Sequence, residues 1–175
     1  MNPDPKRYRI APADPQVDLM AISGIVSIAF AGGEQIEEIS QKYIGGCHYD
    51  FATSRLVWEG DTLVHHWGVW GYPMRVGAVL LRSAGIGAVV TLEAHRKQGL
   101  MAWAVQESFA AMRAAGYDAS ILRGRHYYKF GYRRAWNYVT TKLNPERTPP
   151  EPIPQFALKS ASVSYTHLRA HETKA

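Results

Sequence analysis

Between Val89 and Met101 the chain reads Val-Val-Thr-Leu-Glu-Ala-His-Arg-Lys-Gln-Gly-Leu-Met, and this passage limits the possible folds more than any other. An apolar, β-branched run has the composition of a buried strand, whereas Met101, Val105, Phe109 and Met112 recur at helical spacing as far as Gly116. A strand therefore feeds a long helix through a basic, glycine-containing turn. Such a junction makes an anion site, because unpaired backbone N–H groups and the positive end of the helix dipole converge there. Arg96 and Lys97 add positive charge, and Gly99 lets a phosphate approach the backbone with no Cβ in the way.

The rest of the chain supplies a sheet for that strand. Residues 7–11 read as a first strand, closed by Pro12 and Pro15. A helix follows over 17–30, with Leu19, Ile22, Val26 and Phe30 on one stripe, and Gly32-Gly33 ends it. Residues 34–44 read as a second helix with Ile36, Ile39 and Tyr43 on one side, stopped by Gly45-Gly46. Residues 55–58 and 62–70 alternate as strands around Glu59-Gly60-Asp61. Further strands are expected over 74–82, 87–91, 119–122 and 136–143, with a brief helix at 127–130 and Trp103 packed on the sheet. Helices first, then antiparallel strands, then a β-α-β unit make an α/β fold: a mixed sheet with helices on its faces.

With 175 residues, 46% of them hydrophobic, the chain can bury one real core. No apolar run approaches the about 20 residues of a membrane helix, so no membrane role is expected. The net charge of +5 suits a polyanionic ligand, but the basic residues are scattered rather than gathered into a nucleic-acid stripe. Lys6, Arg7 and Arg9 before the run 19–31 imitate a secretory signal; Asp4, Asp14, Asp18 and the polar Ser23 and Ser27 argue against one. The lone Cys47 forms no internal disulfide and fits a reducing, cytoplasmic compartment. As a nucleophile it has only His48 as a local base, and Gly-Gly-Cys-His reads more simply as a turn.

Two stretches at the end stand apart. Residues 144–162 begin proline-rich, as a linker or the start of a truncated region. Residues 163–173 (Val-Ser-Tyr-Thr-His-Leu-Arg-Ala-His-Glu-Thr) match one reading frame of a transposase-type sequencing adapter at every position, so 163–175 is expected to be disordered read-through. His167 and His171 have the spacing of a zinc pair on a helix, but on this reading they carry no metal, and no metal site is expected. The natural protein is expected to continue differently.

The turn Arg96-Lys97-Gln98-Gly99-Leu100-Met101 resembles the R/Q-x-x-G-x-G/A signature of the GCN5-related (GNAT) N-acetyltransferases. Further on, His126-Tyr127-Tyr128-Lys129-Phe130-Gly131-Tyr132 resembles their F-Y-x-x-x-G-F motif, in the family's order. The likeness covers most of residues 7–143, a single expected domain. Met101 departs from it, standing where most members carry Gly or Ala. The enhanced-intracellular-survival type, with R-x-x-G-L-L preceded by a histidine like His95, is the most similar branch. Its members have a second acetyltransferase-like domain and a domain like sterol carriers, whose terminal carboxylate is held to help catalysis.

The resemblance implies the GNAT fold, with a mostly antiparallel sheet covered by helices on both faces, and acetyl-CoA as co-substrate. Val89, Val90 and Thr91 would pair with the pantetheine arm. Beside Arg96, the segment Lys97, Gln98, Gly99, Leu100, Met101 and Ala102 would cradle the pyrophosphate. A primary amine of a small molecule or peptide would attack the thioester directly, a backbone N–H near Val90 steadying the oxyanion. Tyr127, four before Gly131, takes the family's position for the acid that protonates the leaving thiolate; Tyr128 and Tyr132 are the structural tyrosines.

No base is assigned. Glu93 lies beyond the strand end, and His65 and His66 alternate on a strand, so that one could face an acceptor pocket or both could be satisfied packing residues. A water chain or no base at all is equally compatible. The acceptor pocket offers Trp58, Trp67, Trp70 and His48 without a charge pattern, and the oligomeric state is not written in the sequence. Two other classes compete: a non-catalytic CoA-binding or regulatory domain, and a basic binding module without a CoA site.

Overall fold

The computed structural model describes residues 3–135, and those up to Phe130 form one compact unit. The expected strand over 136–143, the linker and the tail with His167 and His171 lie outside the described residues.

Five strands form one sheet in the order β1-β2-β3-β4-β5. They are β1 (Arg9–Ala11), β2 (Arg55–Glu59), β3 (Thr62–Val76), β4 (Val79–Thr91) and β5 (Ala119–Ile121). Every neighbouring pair is antiparallel except β4 and β5, which run parallel around the helix α3 (Leu100–Ala114). Adjacent residues of β2 show how the sheet is covered. Leu56 packs with Ile22, Ile25 and Val26 of α1 (Leu19–Phe30), while Val57 packs with Tyr8, Val64 and Leu100 on the other face. Trp103 of α3 adds to this second cluster, as its place in the sequence suggests. Among the described residues, no helix is long and apolar enough to cross a membrane.

Four expectations change in detail. The strands read at 62–70, 74–82 and 87–91 are two long ones, because Gly77 takes φ +58 and turns the chain between Val76 and Val79. Pro73 does not interrupt β3. It lies past Tyr49–Trp70, where only β4 flanks the strand, so no ladder bond needs its missing N–H. The second helix is a short α2 (Ile36–Glu38) continued by a wider π-helical turn, Ile39–Ile44. That widening buries Ile44 completely and leaves Tyr43 exposed; the glycines that end it are required, since a Cβ on Gly46 would stand 2.4 Å from the Gln41 carbonyl. Finally, Phe30 is 67% exposed rather than part of the α1 stripe, and the buried face of α3 runs through Leu100, Ala104, Val105, Ser108 and Met112.

Candidate functional site

β5 pairs with β4 only at Ser83, Ala84 and Gly85. Beyond Gly85 the free edge of β4 faces no strand among the described residues, and Val89, Val90 and Thr91 lie along this opening. Val90 turns its side chain into the α1-side core, and Thr91 turns toward α3, where its Oγ1 is 2.7 Å from Nδ1 of His65.

The same stretch carries a bulge. His66 stands opposite Val90 and Gly68 opposite Gly87, so two residues of β4, Ala88 and Val89, face the single Trp67. Ala88 takes φ +46, a left-handed conformation that costs an L-residue about 1–2 kcal/mol. Its carbonyl accepts a hydrogen bond from His66 Nδ1 at 2.7 Å, and the Tyr49 hydroxyl lies 2.8 Å from His66 Nε2.

From Thr91 the chain passes through a 3-10 turn, Glu93–His95, into the basic segment. Lys97 and Gly99 both have left-handed backbones, at φ +62 and +79. Gly99 therefore serves by its conformation. It precedes α3 with no side-chain cap, and the first helical bond is from the Trp103 N–H to the Gly99 carbonyl. No acidic residue sits in the first turn. This geometry brings Thr91, Arg96, Lys97, Gly99, Leu100, Met101 and Ala102 around one cavity of about 270 Å³. Val89, Val90 and Gln98 do not line it.

Two residues without an assigned role in the sequence reading join that cavity. His95 is held by Tyr8, whose hydroxyl is 3.2 Å from Nδ1, and by Glu59 at 3.8 Å from Nε2. Arg7 bonds the same Glu59 and holds its carboxylate below the usual range. Lys129 arrives from the 3-10 segment Arg125–Phe130. It lies inside the second motif, but only the return of the chain beside α3 reveals its position.

Tyr127 belongs to that same 3-10 segment and is 8% exposed. Its ring packs edge-on against Trp67, the residue opposite the bulge, with centroids 5.9 Å apart. Burial raises its pKa, so the phenol keeps its proton at neutral pH.

His65 and His66 point to opposite faces and are both fully buried. Burial, with His66 adding to it, pushes His65 down to about 3, against a nearby Val90 carbonyl. Burial likewise pushes His66 down to about 4, against the pull of the Ala88 carbonyl. Both are neutral and sealed in the core, without access to an acceptor.

The tryptophans named for an acceptor pocket do not gather. Trp67 is buried beside Tyr127, whereas Trp58 and Trp70 pack against the α1-side core and Trp70 Nε1 donates to the Tyr43 carbonyl. His48 borders a larger cavity, about 720 Å³, around Tyr72, Arg82 and Tyr117 in the hairpin's other half. There the polar groups answer one another: Tyr117 donates to Asp50 at 2.6 Å, and Arg82 lies over the Tyr117 ring. Cys47 donates its thiol to the Lys42 carbonyl.

A sequence profile described as the acetyltransferase (GNAT) domain matches residues 28–135. No curated protein matches the chain. Among solved structures, it is similar to a probable N-acyltransferase of unknown function from Enterococcus faecalis, with 18% identity and a TM-score of 0.61 over 71% of this chain. The chain spans only 32% of that protein's length. Glucosamine-6-phosphate N-acetyltransferase from Arabidopsis thaliana (13% identity, TM-score 0.59) is matched over 78% of this chain and 99% of its own. A predicted acetyltransferase from Clostridium acetobutylicum, solved with acetyl-CoA (12%, 0.61), is matched over 78% and 95%. At these identities the structures speak for the fold, and the profile, covering more than half the chain, speaks for descent: the protein is a member of the GNAT acetyltransferase family.

Proposed function

We propose that the chain transfers an acetyl group from acetyl-CoA to a primary amine of a small molecule or peptide. The observation that carries this reading is the opening of β4 from β5 beyond Gly85, which leads directly to the uncapped, basic start of α3. An extended pantetheine arm suits the edge at Val89, Val90 and Thr91, which no strand among the described residues covers, although Arg96 Nε donates to the Thr91 carbonyl. A diphosphate suits the donors of Lys97, Gln98, Gly99, Leu100, Met101 and Ala102, with Arg96 and Lys97 supplying charge without burying it. Lys129 extends that basic rim.

In the reaction the amine nitrogen bonds to the thioester carbon as the C–S bond breaks. A backbone N–H of the bulge faces the charge that builds on the oxygen. Tyr127 gives its hydroxyl proton to the departing sulfur and regains one from solvent, which also receives the proton lost by the amine. Neither His65 nor His66 takes part in that proton transfer, because both are sealed in the core.

Thermal shift provides the first test, since a ligand bound only by the native state raises Tm. Millimolar acetyl-CoA is expected to raise it; no shift would sink the reading and leave a basic module without a CoA site. Thiol release with a panel of amines then separates an enzyme from a non-catalytic CoA-binding domain.

A further inference from the structure

We infer that His66 is a positioning residue for acetyl transfer: it fastens the Ala88 carbonyl and so holds the β4 bulge in the shape that aims its backbone N–H groups at a thioester carbonyl. The inference rests on the acetyl-CoA reading above. Its basis is geometric. Ala88 is the one residue of β4 with a left-handed backbone, and it lies where the strand opens. An alanine does not adopt that conformation by preference, so something must retain it. The carbonyl it presents is retained by a side chain, His66 Nδ1 at 2.7 Å.

Chemistry fixes the tautomer. A carbonyl oxygen only accepts, so Nδ1 must carry the proton, and Nε2 must accept from the Tyr49 hydroxyl. Both ring nitrogens are thereby satisfied, in a side chain with no exposed surface. Gly68 makes the room: a Cβ there would stand 2.7 Å from His66 Cε1 and 2.9 Å from the Gly87 carbonyl. On the sheet's other face, Trp67 and Tyr127 lie against the same point. The bulge is thus held from one side by a neutral donor and met from the other by the candidate acid.

The test compares His66→Leu with His66→Asn, whose amide nitrogen takes the place of Nδ1. Calorimetric titration with CoA and with acetyl-CoA separates the grip on the diphosphate from the grip on the acetyl carbonyl. In His66→Leu the Kd for acetyl-CoA is expected to rise about three- to tenfold, the value of one hydrogen bond. CoA affinity should stay within about twofold, and His66→Asn should restore the wild-type ratio. Equal losses for both ligands, or no loss, would overturn the inference.

A second readout needs no ligand. Amide hydrogen exchange over residues 86–91 should accelerate in His66→Leu and not in His66→Asn. If the wild type binds neither ligand, the acetyl-CoA reading has failed, and this exchange comparison alone decides whether His66 holds the bulge. Should His66→Leu not fold, Ala88→Gly/His66→Leu replaces it, because glycine accepts the left-handed backbone freely. Folding is then expected to return, and an insoluble double variant would count against the role.

Discussion

At the scale of single residues, the turn before α3 was legible because its signals are local. Basic residues, a glycine and a helical apolar period occur within a few positions, and the chain folds them as written. What the sequence could not show is that Gly99 is needed for its φ of +79. Gly99→Ala should therefore cost about 1–3 kcal/mol by strain; a lower Tm together with weaker acetyl-CoA binding checks it, and an unchanged Tm would contradict the geometry. Tyr127 was singled out by a motif, and its burial supplies the reason it stays protonated. Because its pKa lies above the ordinary value of about 10, kcat should show no loss from its ionisation up to about that pH. Tyr127→Phe should lower kcat about a hundredfold, with little change in acetyl-CoA affinity. Full turnover in that variant would remove the residue from the chemistry.

At the scale of elements, strands and helices announced themselves through periodicity, but pairing did not. Residues 74–82 read as one strand since a Gly-Ala pair among Met, Val and Leu looks like an interruption, not a reversal; only register across the sheet makes it a turn. The bulge at Ala88 was hidden for the same cause, as it exists only by comparison with β3. His65 and His66 could be assigned to opposite faces, yet their depth depends on the helices that cover them. Gly68 tests this level. Gly68→Ala forces a methyl against His66, Trp70 and the Gly87 backbone, and overpacking of this kind costs about 1–3 kcal/mol. Denaturant unfolding should register that loss, whereas an unaltered midpoint would mean that the two strands separate more easily than their contacts suggest.

For the molecule as a whole, the two buried histidines predict a direction for acid sensitivity. In the folded chain they remain neutral down to about 3 and about 4, but unfolded they take protons near 6.5. Above pH 6.5 neither state gains from them, so their contribution is fully present there. As pH falls from 6.5 toward 4 the unfolded chain binds protons that the native one refuses, and stability drops by about 1.4 kcal/mol per pH unit for each ring. Tm measured over that range should decline, and less steeply in His66→Asn; a flat profile would mean that neither ring is sealed. The hairpin of β3 and β4 has a quieter consequence. Its reversal at Gly77 is nine or more positions, roughly 30 Å, from the kink at Ala88. Because facing partners are counted out from that tip, one extra residue inserted there would exchange inward for outward along the whole distal arm. Were the two-residue turn kept, a length error made at the far end would thus undo the bulge at Ala88 without altering any of its amino acids.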